Sequence, residues 1–193
     1  MRKVKREYKV YSFDELSDGA KDKAIEQFSD INVDLDYWMY DDTFYYFGND
    51  IGIKVDMKEI SFDLDRGSYV YFSKNGIHIE SPEKLIKAIV KAGIIDKKYT
   101  KHLMEYSDII FDIGANHYGG GSGRNYLDIN DEGGKLPDDT EDKLHAWFER
   151  EFEQKLLREL RDEYNYRTSR EAIIESIIAN EYEFLENGKF FIL

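Results

Sequence analysis

The stretch IKVDMKEISFDLDRGSYVYFSKNGIHIE, residues 53–80, decides the fold class. Apolar side chains occupy every second position in 53–57 and again in 60–64, with the phase moved by one residue. Alternation of this kind is typical of strands with one buried face. The change of phase predicts a bulge or bend near Lys58 and Glu59. The segment therefore predicts strands rather than a helix.

Two turn signals divide this stretch. Residues 65–68, DRGS, predict a turn, after which 69–73 returns as a strand. Asn75-Gly76 is the dipeptide most typical of a tight hairpin turn, and we expect it to lead into a third strand at 77–80. The pattern predicts an antiparallel β-meander whose last two strands form a hairpin.

Helical signals lie on both sides of these strands. Ser12 with Glu15 fits a capping box, and Ser81-Pro82 places a proline at a first helical position. Predicted helices follow Ser17, cover 34–47, run from 81 to 93 and through 96–107, follow the acidic loop 130–139, and begin again at Thr168 or Ser169. Two more predicted strands, 109–114 and 125–129, flank a glycine-rich segment. The class predicted is α+β: an antiparallel sheet packed against several helices in a single domain, 1–193, with a short basic arm at 1–9.

Composition and length limit the class of protein. The chain has 193 residues, of which 41% are hydrophobic and 15% aromatic, so it can bury a core and general disorder is excluded. It has no cysteine, which excludes disulfides and thiolate metal sites. The basic start lacks the apolar region of a signal peptide, and no run approaches the roughly 20 apolar residues of a membrane span. We therefore expect a soluble protein of the cytoplasm.

Charge is the strongest compositional signal. The formal net charge is −13, from 27 Lys and Arg against 40 Asp and Glu. Because neutralisation of phosphates by Lys and Arg dominates nucleic-acid affinity, direct nucleic-acid binding is disfavoured. A large net charge also serves solubility alone. The more specific interpretation of the negative charge is that an acidic face binds a basic surface on a partner protein.

The glycine-rich segment GANHYGGGSGR, residues 114–124, has the composition of a phosphate-binding loop. A Walker loop needs Lys followed by Ser or Thr after its last glycine, whereas this chain has Arg124 and Asn125. A dinucleotide fingerprint opens a helix, whereas the following NYLDIN alternates like a strand. We therefore expect a hairpin loop. If the loop instead becomes ordered around a ligand, the side chains that would bind that ligand are His117, Tyr118 and Arg124.

Paired carboxylates offer a catalytic alternative. Asp63 and Asp65 share one face of a predicted strand, and Asp56 lies in the preceding half. Two carboxylates at this spacing can bind a hard cation such as Mg²⁺, but a solvated sheet face has the same pattern. The four histidines are widely separated, without HxxxH or HExxH spacing: His78, His102, His117 and His145. We predict no cofactor, no bound metal and no enzymatic activity, with a metal-dependent hydrolase as the alternative.

Aromatic residues are concentrated in YWMYDDTFYYF, residues 37–47. A helix here can bury Trp38 and Met39 while Asp41 and Asp42 face water. So many tyrosines in one helix leave some at the surface, where they can form a stacking platform or a protein-binding hot spot. The segment therefore predicts core and binding surface together.

Three segments, in the same order, resemble a family of small and mostly uncharacterised proteins of phage and prophage genomes, some of them labelled antitoxin-like. They are YSFDELSDGAKDKAIEQFSDINVDLDYW at 11–38, FDLDRGSYV at 62–70 and REAIIESIIANEYEFLENGKFF at 170–191. The glycine-rich region departs from the family pattern. The resemblance implies a phage-encoded accessory protein rather than a metabolic enzyme, and it implies no catalytic residues.

The resulting hypothesis is an accessory protein, in the host cytoplasm, that binds and inhibits a host protein such as a CRISPR effector or another nuclease of a defence system. An acidic and aromatic surface would occupy the basic groove of that target. The predicted partner-binding residues are Asp41, Asp42, Asp63, Asp65, Asp138, Asp139, Glu141 and Asp142. The last four belong to an acidic run that also contains Asp128, Asp131 and Glu132, against Lys135 alone. A module that sequesters a small nucleotide signal through residues 119–124 is a further alternative.

Overall fold

A computed structural model describes residues 6–33, 42–65, 67–114, 124–131 and 133–192. Their contacts group the chain into two units, one made of 1–37 with 162–193 and the other of 38–161. Each unit has an apolar core of its own. Helices and antiparallel strand pairs occur together, which confirms the α+β class. The single domain 1–193 stays a prediction.

The stretch that begins at Ile53 forms two antiparallel strand pairs within the unit 38–161. Strand β2 (Ile53–Val55) pairs with β5 (Ile77–Ile79), and β3 (Ile60–Asp63) pairs with β4 (Tyr69–Phe72). A 3-10 helix at Met57–Glu59 separates β2 from β3, where the sequence predicts a bulge or bend. The break in alternation is therefore confirmed, and it is a full helical turn.

The predicted hairpin at 69–80, and with it the meander, is wrong. Gly76 does donate its N–H to the Ser73 carbonyl across a turn, at 2.9 Å. However, β4 and β5 pair with different strands. Between Val55↔Ile77 and Ile60↔Phe72 the Asp56 N–H donates to the Gly76 carbonyl at 2.9 Å and the Ser73 N–H to the Glu59 carbonyl at 2.8 Å, and the residues between these two bonds leave the ladder. Beyond this interruption the two arms of the hairpin pair in the same register as before it. The result is one long interrupted hairpin whose tip follows β3.

Two further helices of this unit begin and end near their predicted positions, and a third is described only in its last part. The Ser81 hydroxyl accepts the Lys84 N–H at 3.4 Å at the start of one of them, and Gly93 follows its end with a left-handed φ of +74°. The predicted helix 34–47 is described only from Asp42 onward, so Trp38, Met39 and Asp41 lie outside the described residues. The helices are α2 (Asp42–Tyr45), α3 (Pro82–Lys91) and α4 (Thr100–Tyr106).

The long helix predicted after the acidic loop contains a π-helical turn. It consists of α5 (Thr140–Phe148), the π turn Glu149–Glu153 and α6 (Gln154–Arg167), within which the boundary between the two units falls. Apolar residues recur here at a spacing of four, and such a stripe rotates by about 40° per step around an α-helix. The wider π turn takes up the extra residue, so Phe148 and Phe152 are both buried.

The glycine-rich segment connects two paired strands, as the sequence predicts. Strand β6 (Ser107–Gly114) pairs with β7 (Arg124–Asp131) along its whole length, with Gly114 opposite Arg124. Helix α5 packs against β7. Residues 115–123 lie outside the described part of the chain.

The unit made of 1–37 and 162–193 joins the two ends of the chain. Strand β1 (Tyr11–Ser12) pairs with β8 (Glu183–Phe184), and α1 (Asp18–Gln27) packs near α7 (Arg170–Ala179). The capping box at the first turn is confirmed, since the Ser12 N–H donates to the Glu15 carboxylate at 2.8 Å. The core residues are Phe13, Leu16, Ala20, Ala24, Ile173, Ile177 and Phe184.

Across the described ranges, no helix combines the length and the apolar character needed to cross a membrane.

Candidate functional site

The tip of the interrupted hairpin places one of the predicted acids, Asp63, opposite an exposed tyrosine and a second, Asp65, in the turn that follows. Asp63 lies directly opposite Tyr69 in the β3–β4 register, so the two side chains share a face, and 47% of Tyr69 is exposed. Asp63 and Asp65 are exposed, and neither forms an ion pair with any residue that the structure describes. We call Asp63, Asp65 and Tyr69 the hairpin-tip surface.

A local hydrogen bond fixes the geometry of this tip. The Asp63 carboxylate accepts the N–H of Asp65 at 2.7 Å, which is the usual way in which aspartate stabilises a turn of its own backbone. Farther along, the Ser68 N–H donates to the Asp65 carbonyl at 3.2 Å. Asp63 therefore shapes the turn and also carries charge, whereas the carboxylate of Asp65 has no such structural bond among the described residues.

A second acidic and aromatic surface lies on α2. Phe44 and Phe47 are buried, whereas Tyr45 and Tyr46 are 51% and 60% exposed, with their rings perpendicular at 4.9 Å. Asp42 is exposed in the first turn of the helix, as predicted. The aromatic segment thus divides into core and surface, as its composition predicts. Asp41 lies outside the described residues.

The predicted acids at the start of α5 are exposed, but they do not form one free cluster. Asp139 directly precedes the helix and pairs with Lys143 at 2.7 Å. Carboxylates in this position are stabilised by the positive end of the helix dipole, so they contribute to the helix itself. Within the described ranges, ion pairs are absent for the other three, Asp138, Glu141 and Asp142.

Asp131, which the sequence groups with the acidic run, is a partly buried structural residue instead. One carboxylate oxygen lies 2.5 Å from Nε2 of His102, and the other accepts the N–H groups of Lys135 and Leu136 at 2.8 and 3.0 Å. Its side chain is 12% exposed. Burial alone would raise the pKa of Asp131, but the N–H of Leu136, the His102 ring and the N–H of Lys135 together hold that pKa below its usual value.

The lowered pKa predicts acid-sensitive stability for the unit 38–161. A carboxyl whose folded-state pKa is depressed stabilises the fold above its unfolded pKa, 3.8, and this contribution is lost as the pH falls through the folded pKa. We expect Asp131→Asn to lower the free energy of unfolding at neutral pH by about 1–3 kcal/mol, because an NH2 group replaces one of the two oxygens that bond His102 or the N–H groups of Lys135 and Leu136. The variant should also lose less stability than wild type on acidification below about pH 4.

Urea unfolding followed at neutral pH and at acid pH measures both effects. Asp138→Asn is the matched control, since that carboxylate is exposed and its replacement should change stability by no more than about 0.5 kcal/mol. Equal unfolding free energies for Asp131→Asn and wild type would contradict this role of Asp131.

The remaining predicted site residues form no cluster within the described part of the chain. His117, Tyr118 and residues 119–123 lie outside the described residues, and Arg124 is known only as the first residue of β7. The Asp56 carboxylate accepts the Lys58 N–H at 3.0 Å and so caps a 3-10 helix. No three acidic or histidine side chains within the described ranges are grouped as a metal ion would need. The ligand loop and the metal-dependent alternative stay predictions.

Comparison of the chain with protein-family models, with curated proteins and with solved structures finds no match.

Proposed function

We propose that this chain is a phage-encoded accessory protein that binds a host protein with a basic surface and inhibits it. The preferred class of target is a defence nuclease such as a CRISPR effector. The observation that carries the proposal is the hairpin-tip surface, where Asp63 lies opposite the exposed Tyr69, Asp65 is exposed in the following turn, and neither acid has a cationic partner among the described residues. The phage setting comes from the sequence resemblance alone.

The chemistry of the hairpin-tip surface suits protein recognition. Tyrosine offers a large, rigid and amphipathic contact and is enriched among interface residues that carry binding energy. The carboxylates of Asp63 and Asp65 are free to meet Lys or Arg of another protein, since no ion pair within the described chain has to break first. Tyr69 therefore supplies contact area and the two aspartates supply charge complementarity.

The net charge of −13 favours a basic partner. A body of one sign attracts the opposite sign over a Debye length, about 10 Å at 0.1 M salt, and this raises the rate of productive encounter. Nucleases hold nucleic acid in basic grooves, because Lys and Arg neutralise its phosphates. An acidic protein that occupies such a groove inhibits by excluding the substrate, and it needs no catalytic residue.

Affinity purification from host cells tests the proposal with a charge variant. Asp65→Lys reverses one charge, while Asp63→Asn removes the other and keeps an oxygen that can accept the Asp65 N–H. We expect wild type to recover a host protein with a basic surface, and the double variant to recover several-fold less of it. The control is Glu175→Gln with Glu186→Lys, which makes the same change of net charge at exposed positions elsewhere.

The outcomes of this purification separate the alternatives. Recovery that falls only in the hairpin-tip variant supports the proposal, provided that thermal unfolding shows the variant to be folded. Equal recovery by wild type, tip variant and control refutes binding through the tip. Divalent metal bound stoichiometrically to the purified protein would instead favour the metal-dependent hydrolase that uses the same two aspartates.

A further inference from the structure

A lysine-rimmed groove lies within the unit 38–161, on a chain whose net charge is strongly negative. It has a volume of about 660 Å³, which is within the range of small-molecule sites. Its walls are α3 on one side and the α5, π-turn and α6 segment on the other, with Phe47 and Ile51 between them. The apolar lining includes Phe47, Ala88, Trp147 and Phe152.

The helical spacing of residues on α3 and the position of α6 bring the lysines to this groove. Lys84, Lys87 and Lys91 recur at spacings of three and four and so share one face of α3, while Leu85, Ile86 and Ile89 face the core. Lys155 reaches the groove from the first turn of α6. The lining therefore includes four lysines.

Three of these lysines have no carboxylate partner among the residues that the structure describes. Lys87 pairs with Glu83 at 2.5 Å, and this hydrogen bond lowers the pKa of Glu83. Lys84, in contrast, donates to the Asn49 carbonyl at 3.2 Å, and the ammonium of Lys155 lies 5.6 Å from the centre of the Phe47 ring. Lys84, Lys91 and Lys155 have no ion pair with any described residue.

The rest of the lining limits the charge of a ligand. Asp50 and Glu151 also line the groove, so the three lysines without a described carboxylate partner exceed the lining acids by one positive charge. A polyphosphate would bring more negative charge than this excess neutralises, close to two carboxylates and on a protein of net charge −13. A ligand that has a single anionic group and an apolar body would suit both the lysines at the rim of the groove and the apolar residues that form its floor.

We propose that this groove binds a small amphipathic organic monoanion, with its apolar body against the floor around Ala88, Trp147 and Phe152 and its carboxylate or sulfonate between Lys84, Lys91 and Lys155. Apolar contact supplies affinity, and the ammonium groups supply orientation. The site is independent of the proposed function, since it shares no residue with the hairpin-tip surface.

Fluorescence titration of the full chain with 8-anilinonaphthalene-1-sulfonate tests the site directly, because this probe combines an aromatic body with one sulfonate. We expect saturable binding to the folded protein, weakened about three- to tenfold by Lys91→Gln with Lys155→Gln, since an exposed charge pair contributes modestly. The control, Lys74→Gln with Lys189→Gln, removes the same charge at exposed positions outside the groove and should bind as wild type does.

Competition identifies the chemistry of the ligand. We expect at least one of two monoanions to displace the probe. Displacement by 2-naphthoate would indicate an aromatic natural ligand, and displacement by decanoate would indicate an acyl chain. Inorganic phosphate and ATP should not displace it at equal concentration. Displacement by ATP but by neither monoanion would overturn the proposal, and so would probe binding that is equal in wild type and in the Lys91/Lys155 variant.

Discussion

Replacement of Phe152 by alanine is expected to lower the free energy of unfolding by about 3–5 kcal/mol, the range for a fully buried aromatic side chain. Phe152 is 1% exposed, stacks on Phe148 with ring centres 4.9 Å apart and meets the edge of Phe47 at 5.0 Å. Its ring thus joins the long helix to the segment after α2. Truncation removes these contacts and leaves a cavity that the rigid helix cannot close.

Urea unfolding monitored by circular dichroism measures this loss. Tyr164→Ala is the matched control, because Tyr164 continues the same spacing of four but is 38% exposed. We expect the control to cost no more than about 1 kcal/mol. A loss below about 1 kcal/mol for Phe152→Ala would mean that the ring does not belong to the core.

Replacement of Gly188 by alanine is expected to destabilise the unit of 1–37 and 162–193 by roughly 2–5 kcal/mol. Gly188 has a φ of +81°, which costs an L-residue about 1–2 kcal/mol. An added Cβ would also lie 2.1 Å from the Ala20 carbonyl oxygen, and relief of such overpacking costs about 1–3 kcal/mol more. The Gly188 carbonyl accepts the amide of Gln27, so a shift of the turn would strain that bond too.

Gly67→Ala separates the two causes. Gly67 has nearly the same φ, +82°, but an added Cβ there would meet no atom within 4 Å. We expect only the conformational cost, about 1–2 kcal/mol, in thermal or urea unfolding of this control. If both alanine variants lose the same stability, the close approach of Gly188 to Ala20 contributes nothing and the steric explanation fails.

Signals that act between near neighbours in the chain correctly predicted the ends of several helices that the structure describes. The Ser12–Glu15 capping box and the stop at Gly93 both act within one helical turn, so sequence alone carries them. The π turn was not predicted, although the spacing of four between Phe148 and Phe152 was the signal for it. The Asn75-Gly76 hairpin failed because pairing in register along the distant strands prevailed over a local turn preference.

In the candidate sites, too, contacts between near neighbours in the chain were predictable, whereas contacts between distant residues were not. Lys143 follows Asp139 by four residues on a helix, so their ion pair was predictable from spacing. His102 is 29 residues from Asp131, and only the fold brings these two together. The lysine-rimmed groove was not predicted, because the net charge of the chain says nothing about the charge of one local surface. Lys155 lies in the same groove as the lysines of α3 only through tertiary packing.

The association rate constant between this chain and its purified host partner, measured at rising salt, tests the central claim most directly. Screening should slow association of wild type several-fold between about 50 and 500 mM salt. The Asp63→Asn, Asp65→Lys variant should associate several-fold more slowly than wild type at low salt and should respond less to added salt. Association that is indifferent both to salt and to this variant would contradict docking of the acidic hairpin tip on a basic surface.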